Sequence, residues 1–249
     1  MGAKVTFRNF CTECSSLDWF NSNRLHYIKG LTKVNPFFIF KEKGKITMKK
    51  EWNKHIDRLI EIADSIELGK LTILTGSNGA GKSVIRKILP TRIQKKLGKD
   101  SPERLVSSLS FMSRAGLSST IGINFLRDSE WTSTGDNTVH LLKSIINHEE
   151  RFIVLDEVEL GMGEELQLAV ANYINSVKDE VLKKSYGLLV ITHSRIIAKT
   201  LKEDTFFNID GIKSKEEWLN RKVVPTDLDQ FQKDCDDLFV AIRDRSEKN

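Results

Sequence analysis

Gly76-Ser77-Asn78-Gly79-Ala80-Gly81-Lys82-Ser83 fits the pattern G-x-x-x-x-G-K-[ST] and follows a short apolar run, Leu71–Leu74. Glycines at these positions let successive backbone N–H groups curl around an anion. A helix opening at the end of the turn adds its positive N-terminus. In such a turn Lys82 reaches the β- and γ-phosphates of a nucleotide, and the Ser83 hydroxyl coordinates Mg²⁺. A short pattern can match by chance, but an apolar strand before it and a helix after it are the context that gives it meaning. The bland alternative is an ordinary strand-to-helix turn.

Two further apolar runs end in polar residues. Phe152-Ile153-Val154-Leu155-Asp156-Glu157 puts two carboxylates at the C-terminal end of a buried strand, where parallel α/β sheets hold their ligands. Asp156 is then expected in the Mg²⁺ shell and Glu157 as general base on the attacking water. Capping of the helix that begins near Glu164 is the alternative. Leu188–Ile191 runs into Thr192-His193-Ser194, where a lone histidine would simply open a helix.

Around these runs the pattern predicts a strand at Lys4–Phe10, then a hairpin through Phe37–Phe40 and Ile46–Met48 turning near Gly44. It predicts helices over Glu51–Ile66, Val139–Ile146 and Glu164–Val177, a strand over Leu105–Met112, and a weaker strand at Phe206–Ile209. After Gly211 the composition turns to charged helix, with an apolar face of Leu228, Phe231, Cys235, Leu238, Phe239 and Ile242 expected to pack on its own domain. All-apolar strands alternating with helices indicate an α/β fold with a mostly parallel central sheet.

In this order the segments resemble the ABC-type ATPases. Gly76–Ser83 is similar to their Walker A turn, Ser65–Lys70 to the approach to it, Phe152–Glu157 to Walker B and His193 to the switch histidine. Ser133-Thr134-Gly135-Asp136-Asn137 resembles a degenerate form of the family's serine-glycine signature, and Ser133 stands 23 residues before Asp156, as the family's spacing has it. A serine hydroxyl and glycine amide at a helix start suit a γ-phosphate, although a plain Ser/Thr cap has the same residues.

The resemblance implies a P-loop NTPase of ABC-ATPase type that binds ATP with Mg. Gly76, Ser77, Asn78, Gly79, Ala80, Gly81, Lys82 and Ser83 would bind ATP, and Ser83 and Asp156 would hold Mg. Glu157 and His193 would be catalytic. Ser133 and Gly135 would complete the site in trans across an ATP-dependent homodimer.

Departures from the family select a branch. The strand expected after Walker A ends at Met112-Ser113-Arg114 without the transporters' glutamine, and residues 114–132 leave too little chain for their helical coupling subdomain. Asp156-Glu157-Val158-Glu159 is closer to the Asp-Glu-Pro-Glu run of RecF-like and OLD-like ATPases, a non-transporter branch, with Val158 in place of the proline. The early insertion, about 11–65, is also unusual. The family's adenine-stacking aromatic has candidates in Phe7, Phe10, Phe38 and Phe40.

Composition bounds the rest. In 249 residues, 39% hydrophobic and 29% charged residues suit a globular chain, and no apolar run approaches the roughly 18 residues of a membrane span. No leader is legible at the N-terminus, and three cysteines argue against a disulfide framework, so a cytoplasmic setting is expected. The net charge of +5 permits a polyanionic partner without demanding one. Cys11-Thr12-Glu13-Cys14 has zinc-ligand spacing but lacks a second pair of ligands. Two basic clusters, Arg86 to Lys99 and Lys41 to Lys54, read either as solvated faces or as phosphate-backbone contacts, the second being the better nucleic-acid or partner surface.

The expected organisation is an ATPase domain over 1–212 and a helical extension over 213–249. The expected function is Mg-dependent ATP hydrolysis whose cycle controls an effector protein or DNA, plausibly in DNA maintenance or phage defence. The alternatives are a nucleotide-sensing regulatory module with little turnover, the ATPase subunit of a transporter, or a P-loop kinase.

Overall fold

Leu71–Thr75 (β1) is buried at all five positions, as expected of a strand covered on both faces. The computed structural model describes residues 45–99, 105–110 and 134–246, and it identifies β1 as part of a five-stranded sheet among those residues. Its partners are Val106–Leu109 (β2), Phe152–Asp156 (β3), Gly187–Ile191 (β4) and Thr205–Asn208 (β5), in the spatial order β2-β3-β4-β1-β5. Every pairing is parallel; Leu71 lies opposite Leu188, and Leu155 opposite Val190. The chain divides into two units, Met1–Lys41 and Glu42–Asn249, and the described residues all belong to the second.

Side-chain alternation along each strand builds two cores. Ile153 and Leu155 of β3 join Leu142 of Thr134–Ile145 (α3) and Ile146 just past it with Ala171 and Ile174 of Glu164–Lys184 (α4). Phe152 and Val154 face the other way, toward Leu59 and Ala63 of Lys45–Ser65 (α1) and Ile85, Leu89 and Ile93 of Lys82–Leu97 (α2). Full burial of each such side chain is worth roughly 1.5–3 kcal/mol, so these two layers dominate the stability of the unit. Arg195–Thr200 (α5), Lys215–Asn220 (α6) and Leu228–Ser246 (α7) complete the elements among the described residues.

Several expectations need correction. Ile46–Met48 is not a hairpin arm; it lies inside α1. The stretch expected to be an insertion thus contributes α1 to a core layer, because Ile56, Leu59, Ile62, Ala63 and Ile66 form a stripe with helical spacing that must be buried. Helix α4 continues past Val177 to Lys184, where Lys183 and Lys184 complement the negative end of the helix. Helix α3 begins at Thr134 and not Val139, which draws Gly135 into it, while the strand expected at Leu105–Met112 is present as Val106–Leu109, residues 111 and 112 lying outside the described residues. The apolar face of α7 is split: Leu238 is buried, whereas Leu228 and Phe239 are exposed. Lys4–Phe10, Phe37–Phe40 and Cys11–Cys14 lie outside the described residues.

Candidate functional site

The glycine-rich turn joins β1 to α2 and has a specific reason for two of its glycines. Gly81 caps α2 at φ 102°, a left-handed conformation, and a Cβ there would stand 2.6 Å from Leu59 Cδ1 of α1. Gly79 has φ 75°, and a Cβ would stand 2.9 Å from the Cys235 Sγ of α7. Ser77, Asn78 and Gly79 are exposed, so the outer part of the turn is open to a ligand. Asp210, just past β5, braces its start: one carboxylate oxygen accepts from the Ser77 amide at 2.8 Å and from the Ser77 hydroxyl at 2.9 Å.

Lys82 is buried, and its Nζ donates to the carbonyls of Gly76 and Ser77 at 3.1 and 2.9 Å. Burial pushes its pKa down, opposed by the charges of Glu157, Asp210, Asp156 and Glu159. Ser83 is exposed at the start of α2.

Strand order explains the other half of the site. β4 lies between β1 and β3, so Glu157, just past β3, and His193, two residues past β4, leave the same end of the parallel sheet as the phosphate turn. His193 Nε2 stands 3.0 Å from Glu157 Oε1, close but off a good hydrogen-bond direction, and each side chain is about one-third exposed. Glu157 has φ 51°, rare for a residue with a side chain, and its amide donates to the Ile191 carbonyl at 2.9 Å. The chain therefore turns sharply where the carboxylate must leave the strand. Asp156 is mostly buried, and desolvation raises its pKa despite Arg86, whose Nε lies 3.2 Å from Asp156 Oδ2.

Sequence patterns placed Glu159 in a run but gave it no role. In the fold it is buried, and Oε1 accepts from the Thr192 hydroxyl at 2.7 Å, the His193 amide at 2.7 Å and the Ser194 amide at 3.2 Å. Ser194 Oγ then accepts from the Ile197 amide to cap α5 and donates to Gln167. The segment that carries His193 is thus fixed from both ends. Its sequence signal was a carboxylate two residues past Glu157, legible only once β3 and β4 are adjacent.

Three more residues escaped notice. Asp210 had a weak signal, a carboxylate right after a strand. Arg86 stood in a cluster that looked like a solvated face; in the fold Arg86, Arg92 and Lys96 make intramolecular contacts to Asp156, Asp64 and the Asp64 and Ile66 carbonyls. His55 of α1 reaches the turn, with Nε2 2.9 Å from the Ala80 carbonyl oxygen. Trp52 packs edge-on against His55, with ring centroids 5.5 Å apart.

The structure thus brings together Gly76–Ser83, Asp156, Glu157 and His193. Gly135 lies buried near the start of α3, on the strand layer away from α1 and α2, and Ser133 falls outside the described residues, as do Phe7, Phe10, Phe38 and Phe40. Among the described residues no group of three or more His, Cys, Asp and Glu could by itself hold a metal, and no helix is long and apolar enough to cross a membrane.

A parallel five-stranded α/β sheet whose first strand leads into this phosphate-type turn is consistent with a P-loop NTPase fold. No family model matches the chain, and no curated protein matches it either. Among solved structures it is similar to PCH-2 of C. elegans, at 16% identity over 66% of this chain and 42% of that chain, with a TM-score of 0.32. It is also similar to the ORC2 protein of Aeropyrum pernix, solved in ADPNP-ADP complexes, at 13% identity over 70% of this chain and 50% of that one, with a TM-score of 0.31. The matches thus span half or less of those chains. At such distance the site is read from its own geometry.

Proposed function

We propose that the chain is a Mg-dependent ATPase of the ABC type, from the non-transporter, RecF-like or OLD-like branch. The observation that carries this is the pairing of Glu157 and His193, 3.0 Å apart just past β3 and β4, on the sheet end where β1 leads into the Gly76–Ser83 turn. The Gly76–Ser83 amides and Lys82 cradle the phosphates, Glu157 takes a proton from the attacking water, and His193 contacts the γ-phosphate. The donor set fits Mg²⁺: one hydroxyl, Ser83, and one desolvated carboxylate, Asp156, leave room for the waters that this ion retains. When bound it would neutralise charge on the β- and γ-phosphates. Ser83 and Asp156 would hold it, which would require Arg86 to give up its contact with Asp156.

Ser133 and Gly135 complete the site across an ATP-dependent homodimer, and the opening of that dimer on hydrolysis controls an effector protein or DNA. We place the chain in the cytoplasm and divide it into an ATPase domain, 1–212, and a helical extension, 213–249. The sensing alternative has one observation in its favour, the Arg86 guanidinium against the carboxylate that must hold Mg.

Light scattering of Glu157→Gln with and without Mg-ATP, beside a turnover assay of the wild type, tests the mechanism. A monomer that becomes a dimer only with ATP supports it. A protein that binds ATP and stays monomeric removes the homodimer and the trans role of Ser133, and absent turnover leaves the sensing module.

A further inference from the structure

Helix α2 carries Lys82 and Ser83 in its first turn and Arg86 one turn further on. Residues three and four apart share a helix face, so Arg86 stands on the side of α2 that carries Ser83. Later in the helix Arg92 and Lys96 turn away to Asp64 and to the Asp64 and Ile66 carbonyls, whereas Arg86 reaches the end of β3. Its Nε is buried and stands 3.2 Å from Asp156 Oδ2 without making a hydrogen bond. This contact is one of charge, between side chains 26% and 13% exposed. Asp156 therefore loses no directed bond from Nε when it exchanges the guanidinium for another cation.

The charges around Asp156 say what the guanidinium does there. Asp156 interacts electrostatically with Glu157 and Glu159 as well as with Lys82 and Arg86, so three carboxylates meet two cations. Lys82 feels those same carboxylates and Asp210 besides. Without Arg86, Lys82 would face all of them in a partly desolvated site, where screening by water is incomplete. Such a site repels the phosphates of a metal-free nucleotide and draws a divalent cation more strongly. With Arg86 in place both tendencies are weakened.

We propose that Arg86 is an internal counter-ion that competes with Mg²⁺ for Asp156 and so sets how strongly nucleotide binding depends on the metal. The proposal rests on the ATPase reading above and adds a residue that acts through Asp156 and not on the reacting atoms. Arg86 lets a metal-free nucleotide occupy the phosphate turn, because it neutralises the carboxylate nearest the metal position. It also holds Asp156 back from Mg²⁺ until the ion is concentrated enough to displace it. Nucleotide occupancy and readiness for turnover are then separate steps.

The test is calorimetric titration of ADP into the full chain, first in EDTA and then at stepped Mg²⁺ concentrations. Wild type should bind ADP in EDTA and bind it more tightly as Mg²⁺ rises. Arg86→Gln should weaken ADP in EDTA about fivefold and lower the Mg²⁺ concentration for half-maximal tightening about tenfold, the coupling of an ion pair between the exposed and buried extremes. Arg86→Lys, whose charge has a shorter reach, should move both readings the same way by about threefold, and it is the variant to read if Arg86→Gln does not fold. An unchanged Mg²⁺ midpoint overturns the proposal. So does a midpoint moved upward, which would make Arg86 a support that orients Asp156 for the metal. Equal weakening of ADP at zero and saturating Mg²⁺ overturns it as well, since Arg86 would then contact phosphate directly. Wild type that binds ADP only when Mg²⁺ is present removes the counter-ion role and leaves the ATPase reading intact. Wild type that binds no ADP under any of these conditions removes that reading and the proposal with it.

Discussion

The two flanks of the phosphate turn are built differently. On the β4 side Glu157 and His193 follow two central strands, β3 buried in four of its five positions and β4 in all five, and the His193 segment hangs on a buried carboxylate with three donors. On the β5 side the walls are a strand of intermediate burial, last in the sheet among the described residues, and two helices, with an exposed Arg245–Asp57 pair at 2.6 Å from near the end of α7 to the middle of α1. An exposed pair of that kind is worth about 0–1 kcal/mol, against about 1.5–3 kcal/mol for a hydrogen bond to a buried charge. The difference teaches where tolerance lies. Chemistry needs sub-ångström placement, and the groups proposed for it sit on the rigid centre, while the β5 side is the more adjustable wall.

The largest expected effect breaks the rigid flank. Glu157→Gln should cut ATP turnover by about a hundredfold or more while ADP affinity stays near wild type, because general-base catalysis commonly supplies that factor. A steady-state phosphate-release assay checks it, and unchanged turnover would remove Glu157 as the base.

Next in size is the contrast between the two bracing carboxylates. Glu159→Ala strips the shared acceptor from Thr192, His193 and Ser194 and should lower stability by about 2–3 kcal/mol, a fall in Tm of roughly 4–12 °C, with turnover falling as His193 loosens. Asp210→Ala should change Tm far less and instead weaken ADP severalfold through the freed Ser77. Thermal melts and calorimetry on both variants read this; equal Tm losses would erase the distinction between flanks.

Gly79→Ala sharpens the adjustable side. Its Cβ meets Cys235 Sγ at 2.9 Å and the left-handed φ of 75° adds strain, so about 1–3 kcal/mol is expected. Adding Cys235→Ala should return only the steric part. A double-mutant cycle by denaturant unfolding reports the split, and complete recovery would mean the backbone carries no strain.

The smallest effect concerns pH. Burial raises the pKa of Asp156, so its charged form is disfavoured by the fold even with Arg86 beside it. Asp156→Asn should therefore stabilise the nucleotide-free protein slightly at neutral pH while removing Mg-dependent turnover. The sign with pH follows: the gain is full above the raised pKa, shrinks as wild-type Asp156 takes up its proton, and is gone below the ordinary carboxylate range. Paired melts at neutral and acid pH show it, and a pH-independent difference would point to another cause.

Much of the rigid flank was legible in the chain. The runs at Phe152 and Leu188 have no polar alternation, and that at Leu71 only Thr72, so burial on both faces suits them, and each ends in the polar residue that the sheet presents. Helix α1 was legible as a helix but not as a wall of the site, since nothing local tells His55 that Ala80 is its neighbour. The hairpin reading of Ile46–Met48 failed because three residues cannot distinguish a strand from the first turns of a long helix. The helical pattern gave Trp52 no role, and α7 reads in sequence as a helical extension.

The sequence by itself determined the local chemistry: a glycine turn that can wrap an anion, a lysine and hydroxyl at its end, and carboxylates and a histidine where strands stop. These follow from steric freedom, hydrogen-bond inventory and hydrophobic period, all of them properties of adjacent residues. Only the tertiary structure decided that β4 lies between β1 and β3, that Glu159 holds the His193 segment, that Arg86 faces Asp156, and that α1 and α7 wall the far side of the turn. Those are contacts between residues tens to more than a hundred positions apart, fixed by how the layers pack and not by any single stretch of chain.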